Sequence, residues 1–464
     1  MKSTTKRGFV VLLLVAFFTI GMCFLGFNIA TNAETWATLR ANMHLVNNGS
    51  FIGAGNILDR NGEILAHTED GKRVYNNSER IRRATLHIVG DSEGYIASGV
   101  QTAYKKELVG YNLVTGIYTL KKYVRGNDVT LTLDSATCAA ASDALGSKKG
   151  VVVVCNYKTG EIICSVSNPN FDIREKPSTE EIEENEDGKF DGLYMNRLID
   201  GLYTPGSVFK VITAASVIEN IPDIESWEYD CEGEMYVNGV EVSCPSEHGK
   251  VDLNGALVNS CNCAFAELSQ QLTAEQLTAT ANSFGFGKSF NFGNSVTEKS
   301  IINLENASES DIAWASVGQY TTLVNPYHML TVVSAIANDG VAKLPFVVKT
   351  IASPSGRVIN EAVADEVIYT TPEISKRLSE MMRNTVKDNY GDWNFDDITM
   401  CGKTGTAEVS DNEKPHAWFM GFSQDEKCPL AVVVVVENGG WGSSAAIPVA
   451  AEVLKEASKV VNVY

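Results

Sequence analysis

Three short runs, Ser207-Val208-Phe209-Lys210, Ser260-Cys261-Asn262 and Lys403-Thr404-Gly405, follow one another along the 464 residues and hold the side chains that serine acyl transfer needs. A serine hydroxyl is a weak nucleophile at neutral pH, so it requires a base within hydrogen-bond reach and donors for the developing oxyanion. Ser207 and Lys210 stand at i and i+3, which a helix brings onto one face. The run from Val208 to Ile218 is apolar nearly all round, as in a helix inside a domain, and an ammonium held there is desolvated and shifted toward basic competence. Pro205 and Gly206 mark the helix start, where unpaired backbone N–H groups and the helix dipole favour negative charge beside Ser207.

Ser260 and Asn262 lie in an otherwise apolar stretch from Leu257 to Phe265, and polar groups so placed need partners. A second hydroxyl can relay a proton to a leaving group, and an amide can hold both a lysine and a substrate carbonyl. Lys403 and Thr404 offer a cation and a hydroxyl to an anionic group, and Gly405 permits close backbone approach by a ligand. The Thr406 N–H is a candidate second oxyanion donor. Taken singly these strings are weak, because Ser3-Thr4-Thr5-Lys6, Ser289-Phe290-Asn291, Ser410-Asp411-Asn412 and Lys158-Thr159-Gly160 repeat them. Setting separates them. Ser3 and Lys6 only precede an apolar run, Lys158-Thr159-Gly160 is a hairpin turn between two β-rich runs, and Ser410-Asp411-Asn412 falls in a polar loop.

The elements that must position these groups are legible as pattern. Gly150 to Tyr157 and Glu161 to Ser167 read as strands, as do Thr399 to Cys401, Ala417 to Phe422 and Leu430 to Glu437, the last with five consecutive valines and hence buried on both faces. Short connections favour antiparallel pairing. Helices are expected at Gly255 to Gln271, Ala274 to Phe284, Pro326 to Asn338 and about Ala445 to Val460. Together they predict an α+β fold, with a helical cluster packed against an antiparallel sheet of about five strands. Upstream, Gly55 to Ala66 reads as strand, Asn-Gly turn, strand, and Asp134 caps a helix running to Leu145. Ala33 to Asn47 reads as a helix, and the acidic run from Glu175 to Asp191 as a solvated loop.

Gly8 to Ala30 carries no charge, and about 23 residues at 1.5 Å each span a ~30 Å hydrocarbon core. Lys2, Lys6 and Arg7 precede this run and Glu34 follows it, so the positive-inside bias predicts a retained anchor with everything after Asn32 outside the cytoplasm. A net charge of -19 excludes nucleic acid as the partner. The ten cysteines are scattered, and most read as small buried apolar residues. Cys231 and Cys244 differ, since they flank a Gly-containing stretch able to form a hairpin and so to bridge them. A zinc site among Cys231, Cys244, Cys261 and Cys263 is not expected, because paired C-x-x-C spacing is missing and His248 stands alone.

The ordered runs resemble the Ser-x-x-Lys, Ser-Asp-Asn and Lys-Thr-Gly signature of penicillin-binding proteins and class A β-lactamases. The likeness extends to Gly160-Glu161-Ile162, Ser167-Asn168-Pro169, Tyr203-Thr204-Pro205-Gly206, His248-Gly249, Val317-Gly318-Gln319, Ala337-Asn338-Asp339-Gly340 and Trp418-Phe419. Gly55 to Gly62 resembles the start of the pedestal domain of class B, monofunctional members, although the arginine expected before that glycine is Ala54. The resemblance implies three parts. Residues 1–32 would be the cytoplasmic tail and membrane anchor, 33–148 a pedestal of the dimerisation type, and 149–464 a penicillin-binding transpeptidase domain with the serine β-lactamase-like fold. It implies a single-pass membrane protein cross-linking peptidoglycan stem peptides ending in D-Ala-D-Ala through a Ser207 acyl-enzyme, acylated by β-lactams. Lys210, Ser260, Asn262 and Lys403 would be catalytic, and Thr404, Gly405 and Thr406 would bind substrate. A membrane-embedded glycan polymerase is the implied partner, and no cofactor or metal is expected. D,D-carboxypeptidase, β-lactamase and β-lactam-sensing receptor are the alternative uses of such a domain.

Overall fold

The structure, a computed structural model, describes residues 2–37, 46–47, 50–51, 53–109, 126–185, 188–410 and 412–461. Its centre is a five-stranded antiparallel sheet in the order Met400–Ala407, His416–Ser423, Leu430–Val436, Gly150–Asn156, Ile162–Asn168. The valine-rich strands Gly150–Asn156 and Leu430–Val436 lie inside it. Every residue of Leu430–Val436 is buried, as β-branched side chains covered on both faces require. The C-terminal helix Ile447–Val461 packs on this strand and on helix Ser135–Leu145, and helix Pro326–Ala337 also packs on the strand.

Most expected elements are present within a residue or two. Three differ in ways that bear on the site. The strand expected at Thr399 to Cys401 runs on through Ala407, so Lys403-Thr404-Gly405-Thr406 lies inside a strand at the sheet edge. The helix expected from Gly255 to Gln271 is two helices, Leu253–Val258 and Asn262–Gln270. Apolar periodicity runs across the junction, but Ser260 adopts a left-handed φ of 54°, which a helix cannot absorb. Ser207 sits in a 3-10 turn, Gly206–Val208, that feeds the helix Lys210–Asn220.

Elsewhere, a short helix, Thr179–Glu183, interrupts the expected acidic loop, started by a capping box between Ser178 and Glu181. The apolar N-terminal helix runs from Lys2 to Ala37, and its segment Lys6–Ile29 is long and apolar enough to cross a membrane. Val46–Asn47 is a strand paired with Ser50–Phe51 rather than the end of the helix expected over Ala33 to Asn47; residues 38–45 of that helix lie outside the described residues, as does Asp411 of the Ser410 to Asn412 loop.

A second sheet has six strands, in the order Val358–Glu361, Val348–Ala352, Asp128–Leu131, Ile57–Leu58, Ile64–Glu69, Lys72–Tyr75. Strands from both sides of residue 148 therefore share it, the two later ones side by side at one end. The Gly55 to Gly62 segment is tied down by Asp59, which is buried. Its Oδ1 accepts from the Asn61 and Glu63 N–H groups, and its Oδ2 from the Ser135 hydroxyl at 2.7 Å. Beside Ala54, the Arg73 guanidinium donates to the Gly55 carbonyl at 2.7 Å. A buried pair, Arg82 with Asp172 at 2.5 Å, fastens the N-terminal elements to the larger unit, and the Arg82 hydrogen bond holds the Asp172 carboxyl below its ordinary pKa.

Candidate active site

Two glycines lock the nucleophile turn onto the sheet edge. Gly206 has a φ of +55°, and a Cβ there would stand 2.5 Å from the Thr406 carbonyl oxygen. Gly405 faces it across the contact, where a Cβ would meet the Pro205 carbonyl at 2.5 Å. Only bare backbone fits both positions. The Gly206 N–H also donates to the Gly318 carbonyl at 2.9 Å, and the Trp418 indole donates to the Thr204 carbonyl at 3.0 Å. Ser207 is thus carried on a turn held from both sides. Gly405 permits the close approach of this turn.

Two lysines, each fully buried, converge on Ser260. Lys210 Nζ donates to the Asn262 Oδ1 at 2.6 Å, to the Ser260 carbonyl at 2.6 Å and to the Ser260 Oγ at 3.4 Å. Lys403 Nζ donates to the same Oγ at 3.0 Å, to the Tyr390 hydroxyl at 3.3 Å and to the Thr404 carbonyl at 3.1 Å. No carboxylate contacts either ammonium among these bonds. Burial lowers the Lys210 pKa to about 7, helped by the Lys403 charge, and burial lowers that of Lys403 to about 7. Each can therefore take up or release a proton near neutral pH. Asn262 is itself fixed, its Nδ2 donating to the Ser243 carbonyl at 2.7 Å.

These groups border one cleft of ≈ 480 Å³, lined by Ser207, Ser260, Asn262, Thr404 and Thr406 together with residues of the Ser243 to His248 segment. The family description "Penicillin binding protein transpeptidase domain" matches residues 150–458, two thirds of the chain. The chain belongs to that family. Over 431 residues it is 26% identical to the peptidoglycan D,D-transpeptidase PbpA of Mycolicibacterium smegmatis, covering 82% of this chain and 83% of the relative. It is also 26% identical over 433 residues to the stage V sporulation protein D of Bacillus subtilis, covering 83% and 65%. Among solved structures, penicillin-binding protein A of M. tuberculosis as its penicillin G acyl-enzyme complex superposes with a TM-score of 0.76 at 25% identity, covering 88% of this chain and 99% of that one. The D,D-transpeptidase domain from Eggerthella lenta gives 0.74 at 28% identity, covering 88% and 98%.

In this transpeptidase domain the eight sequence-derived residues occupy one neighbourhood. Ser207, Ser260, Asn262, Thr404 and Thr406 face the cleft, Lys210 and Lys403 lie buried behind it, and Gly405 backs the nucleophile turn. The decoy triplet Lys158-Thr159-Gly160 is the turn between strands Gly150–Asn156 and Ile162–Asn168. Tyr390 joins the site without a sequence signal of its own. Its hydroxyl accepts from Lys403 and from the Thr404 N–H at 3.0 Å, and pairs with the Thr404 hydroxyl at 2.7 Å. It closes a wide π-type turn, Val386–Tyr390, a local widening that recurs at functional sites. Trp314 and Gln319 also line the cleft; Gln319 lies in the Val317-Gly318-Gln319 string already noted.

Proposed function

We propose that this chain is a serine-type peptidoglycan D,D-transpeptidase whose nucleophile is Ser207. The observation that carries this reading is the Ser260 hydroxyl held between two buried lysines, both with pKa lowered to about 7, on the cleft that Ser207 lines. Lys210 in its neutral form takes the Ser207 proton as Oγ attacks the penultimate D-Ala carbonyl of a stem peptide. The C–N bond to the terminal D-Ala breaks. The departing amine takes a proton from the Ser260 hydroxyl, which Lys403 restores. An amine on a neighbouring strand then attacks the acyl-enzyme by the same route in reverse, closing a cross-link and freeing Ser207.

Asn262 orients Lys210 and can hold the substrate amide. The sheet-edge strand Met400–Ala407 offers backbone for an extended peptide to pair with, with Thr404 placed for its terminal carboxylate and the Thr406 N–H for the oxyanion. Losing one oxyanion donor costs about 3 kcal/mol. β-Lactams acylate the same serine. Residues 1–32 anchor the chain in the cell membrane by a single span. The positive charge before that span supports a pedestal, 33–148, and a transpeptidase domain, 149–464, outside the cytoplasm, and the resemblance to class B members supports a membrane-embedded glycan polymerase as partner.

The test is a donor stem peptide incubated with the full-length chain in detergent, with and without a D-amino-acid acceptor. Exchange of the terminal D-Ala for the acceptor is expected, and is lost in Ser207→Ala. Hydrolysis that ignores the acceptor would replace this reading with a D,D-carboxypeptidase.

A further inference from the structure

The cleft wall next to Ser260 is made of two small ribbons, Tyr229–Cys231 with Gly249–Val251 and Glu234–Val237 with Val240–Ser243. Isolated two-stranded ribbons are marginal in water. The hairpin expected between Cys231 and Cys244 is present, but what it assembles is larger than a pair. The sulfurs of Cys231, Cys244 and Cys261 and a ring nitrogen of His248 all lie within 4.8 Å of one another. Cys231 and Cys261 are buried, while Cys244 and His248 are half-buried.

Three of the six edges between these ligand atoms match a zinc tetrahedron, and the other three lie within 4.8 Å. Zinc holds sulfur at about 2.3 Å and imidazole nitrogen at about 2.0–2.1 Å, which makes tetrahedral edges of about 3.8 Å between sulfurs and about 3.6 Å between sulfur and nitrogen. Cys231 Sγ stands 3.9 Å from Cys244 Sγ, Cys244 Sγ 3.7 Å from Cys261 Sγ, and Cys231 Sγ 3.5 Å from His248 Nδ1. A disulfide would need about 2.05 Å. Backbone donors point at these sulfurs as they would at thiolates. The N–H groups of Asn262 and Cys263 donate to Cys244 Sγ at 3.1 and 3.4 Å, and the Ala264 N–H donates to Cys261 Sγ at 3.3 Å. Such outer hydrogen bonds orient metal-bound sulfur. Cys263 lies 3.5 Å from Cys244 but donates to the Val242 carbonyl at 3.4 Å, outside the group of four.

We propose that Cys231, Cys244, Cys261 and His248 bind one structural zinc ion that clamps the hairpin wall to the Ser260-Cys261-Asn262 turn. Binding releases the three thiol protons, and four protein ligands leave no open position for a substrate. The ion acts by placement. Cys261 stands between the two residues that hold Lys210, at a backbone turn already forced left-handed at Ser260. Fixing its sulfur fixes Ser260 and Asn262 together, while Cys244 holds Ser243, the acceptor for the Asn262 amide. The sequence spacing hides this site because no two ligands share one knuckle.

Metal content of the full-length chain, purified in detergent without chelator, tests the proposal. About one zinc per chain is expected, lost in Cys244→Ser and His248→Ala and kept in Cys263→Ser. Replacing zinc with cobalt is expected to give the visible and near-ultraviolet bands of a tetrahedral thiolate site. Stripping the metal is expected to lower Tm. Should the cysteine variants fail to fold, the zinc content and cobalt spectrum of the unmodified chain decide alone. A chain that takes up no zinc when it is supplied, whether its thiols are free or Cys231 and Cys244 are bridged, overturns the proposal. So does stoichiometric zinc that survives in His248→Ala together with an unchanged cobalt spectrum.

Discussion

The two sides of the cleft are held by different means. On one side the Ser207 turn rests on the five-stranded sheet, with Gly206 and Gly405 in backbone contact and the buried helix Lys210–Asn220 behind them. On the other, Ser260 and Asn262 meet two-stranded ribbons, with a cluster of three sulfurs and an imidazole between them. The first side inherits the stability of the core. The second packs through a small apolar cluster, Val237, Val242, Ala266 and Ala313, and under the proposal above takes its remaining hold from the metal. A nucleophile can thus be rigid by packing alone, whereas its proton relay requires a separate fastening.

The largest effect belongs to the group that both sides share. Lys210→Ala is expected to slow acylation by benzylpenicillin about 10²–10⁴-fold, the usual contribution of general-base catalysis, as followed by stopped-flow fluorescence. A smaller loss within an order of magnitude of unity would remove Lys210 from the base role.

Breaking each fastening separately sharpens the contrast. Gly206→Ala forces a Cβ against the Thr406 carbonyl at a positive φ, which costs about 1–3 kcal/mol. It should lower Tm and hydrogen-exchange protection in the sheet-edge strand. Cys244→Ser should instead raise exchange over residues 229–262 and leave the five-stranded sheet protected. Equal loosening of both regions by either change would erase the distinction.

The pH dependence follows from the two lysines. With the Lys210 pKa at about 7, acylation is expected to rise with pH through about 7 as the neutral base appears. Lys403→Gln removes one of the two causes of that lowering, so its residual activity should rise at higher pH. In stability the sign is the same. The native state loses these protons near 7 and the unfolded state near the ordinary 10.5, so the unfolded chain binds more protons in that window and stability increases across it. A limb that does not move in Lys403→Gln would show that the two charges do not interact.

The smallest change is Tyr390→Phe. It removes the hydroxyl that accepts from Lys403 and Thr404, a net effect of about 1 kcal/mol, read as a several-fold fall in acylation rate.

The legibility of the chain divides along the same line. The sheet, the nucleophile helix and the three runs could be read because their signals are local: valine-rich strands, a lysine three residues after a serine, a helix start at Pro205-Gly206. The break at Ser260 was hidden because apolar spacing continues from Leu257 to Phe265 through a turn that only a backbone angle reveals. The strand through Lys403-Thr404-Gly405 was cut short because its polar residues lack β pattern, and burial against Pro205 and Val208 overrides that. Tyr390 and the sulfur cluster depend on contacts between distant segments. The capping box at Ser178 and Glu181 was local and readable, but the acidic run around it suggested only solvent.

The roles of both lysines depend on Ser207 being the acylated residue. Intact-mass and peptide analysis of the full-length chain after benzylpenicillin should show one persistent adduct, on the peptide containing Ser207, and none in Ser207→Ala. An adduct that survives in Ser207→Ala would contradict the assignment, and rapid loss of the adduct from the unmodified chain would contradict a transpeptidase in favour of a β-lactamase.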